Sequence, residues 1–295
     1  MTFTGKGNTL VKQIVVGTDG SNESMKAFDQ AFFLARAIEC SIKCVFIVDL
    51  RKTQMPFIYT GAAYEGAYER LYIPPDSSMR KFYEKLATDL DAFAEKCISS
   101  CRANAERNDV PFESVVKSGY PGVELCDEAR SGGLLVVGQR GENAHYKRSI
   151  VGSITEDLVR TSPRPMLICP ASSEKIHSIV FPYDGSRTAE HALQYYVNGL
   201  RNIADDFIML LVGEENREEH QVEEELSYLE KHNVNVVVER REGSPSREIL
   251  KLTEERQADM IMVGAHGRNK IKDYLLGSTA SHIIHKSHVP VLIAF

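Results

Sequence analysis

Two stretches of the chain set glycines and a serine at spacings suited to holding a phosphate. Gly264-Ala265-His266-Gly267 is followed, after residues 268–276, by Gly277-Ser278. Gly138-Gln139-Arg140-Gly141 is followed, after residues 142–151, by Gly152-Ser153. Glycine lets backbone approach a ligand closely, and a helix opening at Gly-Ser presents N–H groups and positive dipole to an anion. Ser153 and Ser278 add a hydroxyl donor at that end. His266 is able to donate toward a phosphate, the alternative being an ordinary solvent-exposed loop histidine. Two acidic turns, Asp19-Gly20-Ser21 and Asp184-Gly185-Ser186, supply carboxylates that can accept hydrogen bonds from a base or ribose. The chemistry implied is nucleotide binding. No base or nucleophile is assignable beside either loop, so no catalytic residue is named.

Competing chemistries find little support. There is no G-x-x-x-x-G-K-[ST], no G-x-G-x-x-G after a first apolar run and no kinase loop motif. An adenylate-forming or nucleotidyl-transfer enzyme would want a longer loop than Asp19-Gly20-Ser21-Asn22. His282, His285 and His288 turn through about 300° at each step on a helix, so they share no face, and no metal site is expected. Six cysteines occur without a C-x-x-C. Cys97 and Cys101 stand four apart on one helical face; reduced, mostly buried thiols are the expectation, and a metal or redox pair the alternative.

The elements that must position these residues come as a duplication. Ile14-Val15-Val16-Gly17-Thr18 leads into the first acidic turn and Ile179-Val180-Phe181-Pro182-Tyr183 into the second. Leu134-Leu135-Val136-Val137 and Met260-Ile261-Met262-Val263 precede the glycine loops, and Pro165-Met166-Leu167-Ile168-Cys169 matches Pro290-Val291-Leu292-Ile293-Ala294. Short continuous apolar runs alternating with helical patterns predict parallel sheets covered on both faces. Strands are expected near 13–18, 43–48, 112–117, 134–138 and 165–169, then 177–183, 206–212, 234–240, 259–264 and 290–294. Helices are expected near 22–39, 79–108, 121–131 and 151–161, then 187–202, 217–232, 245–256 and 276–286, with Ser21 and Ser186 as N-caps. The polar stretch 170–175 separates domains 1–170 and 175–295. The last strands, Met166–Cys169 and Val291–Ala294, are apolar edges expected to pair with each other.

The halves differ after their second strands. The first carries an insertion, residues 49–78, where Phe57, Tyr59, Tyr64, Tyr68 and Tyr72 predict packing on its own domain, or a lid or partner surface. The second turns into a helix crowded with Glu214, Glu215, Glu218, Glu219, Glu223, Glu224 and Glu225, read as a solvated face or as a rim that repels phosphate. Lys and Arg number 35 against 41 Asp and Glu, a formal charge of −6, which argues against a general nucleic-acid binder. No apolar run approaches the ~18 residues of a membrane span, and the opening residues show no signal-peptide pattern. The expected location is cytoplasmic.

At these motifs the sequence resembles the universal stress protein family in its tandem two-domain form. The resemblance rests on Asp-Gly-Ser after strand one and on the spacing G-x₂-G-x₉-G-[ST]. Gly264, Gly267, Gly277 and Ser278 fit it; the first half has ten residues between Gly141 and Gly152 and carries Glu142 where the second half has Arg268. The resemblance implies two Rossmann-like, adenine nucleotide alpha hydrolase-like domains, each a five-stranded parallel sheet flanked by helices. It implies ATP, with Mg²⁺, held by Asp184, Val212, Gly264, His266, Gly267, Arg268, Gly277 and Ser278 in one half. In the other, the binding residues are Asp19, Val48, Gly138, Arg140, Gly141, Gly152 and Ser153. The expected role is regulatory, in a stress response, with slow ATP hydrolysis or autophosphorylation as an open possibility. The expected assembly is a homodimer of tandem chains with a further protein partner. The alternative is an interaction scaffold whose nucleotide sites are vestigial in part.

Overall fold

The computed structural model describes residues 10–49, 77–141, 151–213, 219–265 and 276–295. The first half runs β1 (Gln13–Thr18), α1 (Asn22–Ala37), β2 (Ser41–Asp49), α2 (Ser77–Arg107), β3 (Phe112–Gly119), α3 (Pro121–Ala129), β4 (Leu134–Gly138), α4 (Ser153–Thr161) and β5 (Met166–Cys169). The second runs β6 (Ser178–Pro182), α5 (Arg187–Tyr195), β7 (Asp206–Val212), α6 (Glu219–Lys231), β8 (Val236–Arg241), α7 (Pro245–Arg256), β9 (Met260–Gly264), α8 (Ser278–Lys286) and β10 (Val291–Ala294).

The ten described strands form one sheet in the order β3-β2-β1-β4-β5-β10-β9-β6-β7-β8. Within each half every pair is parallel; β5 and β10 alone pair antiparallel. Adjacent strand residues alternate between two cores. Ile14 and Val16 belong to one core, together with Phe28 of α1, Ile98 of α2, Leu193 of α5 and Leu229 of α6. Val15 belongs to the other, together with Leu125 of α3, Leu158 of α4, Ile249 of α7 and Ile283 of α8. The described helices therefore divide four to each face, which is why the strands are apolar on both sides.

The β5–β10 register pairs Leu167 with Leu292 and Met166 with Ile293. Leu167 and Leu292 hold matching places in the two repeats and lie in the same core. A pseudo-two-fold axis therefore passes between them, perpendicular to the sheet. It leaves the carboxyl ends of the two sets of parallel strands at opposite edges of the molecule.

Two local features depart from the expected pattern. The helix after β6 stops being α-helical at Tyr195 and continues as a π segment, Tyr196–Leu200, and both tyrosines turn inward. Tyr195 reaches across to donate to the carbonyl of Gly133 at 2.8 Å. Helix α2, at 31 residues, spans about 46 Å. Its later part seats on the sheet, through Ala94, Ile98, Cys101 and Ala105, while Phe82 upstream is exposed. Residues 50–76 of the insertion, with its five aromatics, lie outside the described residues. Among the described residues no helix is long and apolar enough to cross a membrane.

Candidate functional site

In each half the acidic turn is built the same way. Ser21 caps α1 by accepting from the Ser24 amide at 3.3 Å, and Ser186 caps α5 by accepting from the Ala189 amide at 3.2 Å. Asp19 Oδ1 accepts from the Ser21 amide and Asp184 Oδ1 from the Ser186 amide, both at 3.0 Å. Between carboxylate and cap, Gly20 and Gly185 have φ of +76° and +68°, a conformation that other residues rarely adopt. The turn thus fixes each aspartate at the carboxyl edge of its sheet, where open α/β sheets bind ligands.

The glycine loops are pinned by equivalent bonds. Gly152 donates to the Gln139 carbonyl and Gly277 to the Ala265 carbonyl, both at 2.9 Å. The Gln139 amide bonds Cys169 and the Ala265 amide bonds Ala294, both at 2.8 Å. These contacts bring the Gly-Ser pair back to the end of β4 or β9. Gly138 and Gly264 lie against the first turns of α1 and α5. A Cβ on Gly138 would come within 3.0 Å of the Ser24 nitrogen, and one on Gly264 within 2.8 Å of the Ala189 nitrogen. On Gly141 it would come within 2.7 Å of Asp19 Oδ2, so the first loop and the first acidic turn are in contact. The N-caps of α4 and α8 are Gly152 and Gly277, which have no side chain to cap the helix, unlike Ser21 and Ser186. Backbone N–H groups at a helix start then look outward for an acceptor.

In the second half these parts enclose a cavity of ≈ 380 Å³. Asp184, Val212, Gly264, Gly277 and Ser278 all line it. Its apolar wall is made by Pro182, Tyr183, Leu210, Pro245, Ile249 and Val263, and Thr279 adds a second hydroxyl at the start of α8. His266, Gly267 and Arg268 lie outside the described residues, as do Glu214, Glu215 and Glu218.

In the first half Asp19, Gly138, Arg140, Gly141, Gly152 and Ser153 gather at the matching edge; Glu142 lies outside the described residues. Val48 requires a correction. Gly17 pairs with Val45 as Pro182 pairs with Leu210, so the counterpart of Val212 is Ile47. Ile47 shares the core of Val212, whereas Val48 faces α1 and α2. A one-residue slip along a strand reverses the face presented.

The first edge also has an unmatched neighbour. Phe93 and Cys97 of α2 crowd Gly20: a Cβ there would lie 2.6 Å from the Phe93 ring and 2.9 Å from Cys97 Sγ. Phe93 meets Phe46 edge-on, with centroids 6.1 Å apart. Burial, Cys101 and Asp19 together push the Cys97 thiol above its ordinary range. Among the described residues no three His, Cys, Asp or Glu side chains are grouped to hold a metal. His285 instead places Nε2 3.5 Å from Glu156 of α4.

Doubly wound sheets with a glycine loop leading into an uncapped helix at the carboxyl edge define a Rossmann-like α/β protein. The model of the universal stress protein family matches residues 11–170 and again 175–294, so the chain belongs to that family, in tandem form. It is 26% identical over 291 residues to universal stress protein Slr1230 of Synechocystis, covering 96% of this chain and 99% of that one. It is 24% identical over 306 residues to universal stress protein Rv2005c of Mycobacterium tuberculosis, with 95% and 96% covered. A universal stress protein from Archaeoglobus fulgidus superposes with a TM-score of 0.72 at 19% identity, covering 98% of this chain and 99% of that one.

Proposed function

We propose that the second half binds ATP with Mg²⁺ and that the protein is a regulatory nucleotide binder in a stress response. The carrying observation is the ≈ 380 Å³ cavity in which Asp184, an apolar wall and the uncapped start of α8 converge. That volume is within the range of small-molecule sites, ~300–1,000 Å³. Base and ribose lie against Asp184, Val212 and the apolar wall. The phosphates meet Gly277, Ser278 and the helix dipole, and the family resemblance adds His266, Gly267 and Arg268 to the residues that hold them. Mg²⁺ is carried in by the phosphates, which neutralises charge that the helix start alone does not. The family, stress-related by name, supports the stress-response part of this reading. The same reading makes the first half a weaker site of the same kind. It makes the assembly a homodimer of tandem chains in the cytoplasm, read by a protein partner.

Calorimetry with ATP and GTP, each with Mg²⁺, tests the proposal. ATP is expected to bind the second half and GTP to bind less well. Absence of ATP binding, or equal binding of GTP, rejects it. Gly277→Val places a branched side chain where the phosphates sit. Its φ of −58° and ψ of 145° suit valine, so the fold should persist while binding is lost.

A further inference from the structure

At one point the two repeats are built alike and filled differently. Past α4, the Ser162 hydroxyl donates to the Arg164 carbonyl at 2.8 Å and accepts from the Arg164 amide at 3.3 Å. Past α8, the Ser287 hydroxyl donates to the Val289 carbonyl at 2.7 Å and accepts from the Val289 amide at 3.1 Å. Pro165 and Pro290 follow. Arg164 and Val289 are therefore counterparts on the same local backbone. Arg164 sends its guanidinium across to the Arg130 carbonyl at 2.8 Å, at the end of α3. Pro121 opens α3 and Pro245 opens α7, and the ninth residue after each is Arg130 or Glu254. Val289 is too short to make the corresponding span. In its place the second half has a cavity of ≈ 260 Å³, lined by both Val289 and Glu254.

This cavity lies between the ends of α7 and α8, beside the chain that joins the halves. The length of α8, about 13 Å, separates it from the nucleotide cavity at the other end of that helix. Leu250 and Val289, each half-buried against the core, supply apolar surface. Glu254 and Asp259 line the α7 side, Glu174 the connection, and Lys286 and His288 the α8 side. Asp259 is held in place by the amides of His177 and Ser178 and by the Ser178 hydroxyl, all at 2.9 Å to Oδ2, which leaves Oδ1 for another donor. Among the described residues no ion pair engages Glu174, Glu254 or Lys286.

We propose that this cavity binds a small guanidinium compound, with the guanidinium toward Glu254 and Asp259 and an anionic end toward Lys286 and His288, the two ends that free arginine carries. The first half shows the interaction in the counterpart place, made there by its own Arg164. A guanidinium is a planar fork of donors suited to carboxylate and carbonyl oxygens together. The C-terminal end of a helix favours a cation, and two helices end here. Three carboxylates outnumber the one lysine. The apolar surface suits the aliphatic stem of an arginine. Because the first half fills its own place, one ligand per chain is expected. Nothing in the site requires a nucleotide, so it stands or falls apart from the ATP reading.

Calorimetry of the full chain with free arginine tests this. The wild type is expected to bind one arginine per chain. Val289→Arg supplies the side chain that the first half already has, and should abolish binding while the circular dichroism is unchanged. Glu254→Gln removes one carboxylate from an exposed position and should weaken binding about tenfold. Lysine, with an ammonium in place of the fork, should bind about tenfold more weakly than arginine. Agmatine, which is arginine without its carboxylate, should also bind more weakly. Absence of arginine binding overturns the proposal, as does equal binding of lysine or a folded Val289→Arg that still binds. Where Val289→Arg does not fold, Glu254→Gln decides, and an unchanged affinity in that variant overturns the site. Agmatine binding as tightly as arginine would overturn the part given to Lys286 and His288.

Discussion

The side-chain amide of Gln139 donates to the main-chain carbonyl of Ile284 at 2.7 Å, across 145 positions of sequence and inside the protein. Gln139 belongs to the first glycine loop, and Ile284 to the last turn of α8, whose first turn lines the second cavity. The final carbonyls of a helix have no partner within it. Gln139 supplies one from the other half, and the symmetry mate of this contact is missing, because Ala265 stands at the matching position.

Gln139→Leu leaves the Ile284 carbonyl buried without its donor. A loss of about 1–3 kcal/mol is expected in urea unfolding, the cost of a stranded buried acceptor. A change below about 0.5 kcal/mol would show that the carbonyl finds another donor, and the contact would then not couple the halves.

The two candidate sites should differ in strength. The first loop carries one extra residue and Glu142, a negative charge beside the expected phosphates. Calorimetry on Gly152→Val should therefore retain the tighter ATP site, and on Gly277→Val should lose it. The backbone at Gly152, φ −69° and ψ 145°, also accommodates valine. If the Gly277 variant keeps the tighter site, the order is reversed.

Leu167 and Leu292 face each other on the pseudo-axis, each 1% exposed. Leu292→Ala should cost about 2–5 kcal/mol, as for other fully buried leucines. Guanidinium unfolding followed by fluorescence and circular dichroism measures this. A loss under about 1 kcal/mol would mean that the junction relaxes around the gap.

Glu225 of α6 is pushed above the ordinary carboxylate range by burial, then by Glu190 and Glu224. The sign follows from linkage. Its ionised form is disfavoured in the folded protein, so stability is full below the unfolded-state pKa and falls as pH rises through the higher folded value. Glu225→Gln should stabilise the protein at neutral pH by about 0.5 kcal/mol, the scale of a like-charge contact on a helix. Thermal unfolding across pH should show the advantage vanishing in acid. An advantage that persists in acid would point to packing instead of charge.

The repeat made the architecture readable. Matching Pro-apolar runs at Met166 and Val291 identified the two edge strands, and the structure joins them as expected. Spacing also placed Asp184, Gly264, Gly277 and Ser278 in one cavity, because a strand end, a loop and a helix start leave little freedom in a doubly wound sheet. Val48 was misplaced by one position, since an apolar run such as Val45-Phe46-Ile47-Val48 carries no alternation to show which residue faces which core. Gln139 could not be found from sequence: a loop glutamine shows nothing of a partner 145 positions away. The Cys97–Cys101 spacing was visible on the helix, but that Cys101 is buried while Cys97 stays half-buried depends on how α2 sits on the sheet.

The β5–β10 seam sets how this molecule diversifies its two edges. In a pair of identical subunits, every residue at a two-fold interface appears twice, so an improvement on one side is imposed on the other. Here both partners lie on one chain, joined by a connection held down by Ser172 on the His288 carbonyl and by Gln30 on the Glu174 carbonyl, each at 2.5 Å. Closure is intramolecular and holds at any dilution. A glutamine on one side of the axis and an alanine on the other is a combination that a pair of identical subunits cannot carry. Two specialised edges, back to back, are then available at a fixed ratio of one to one.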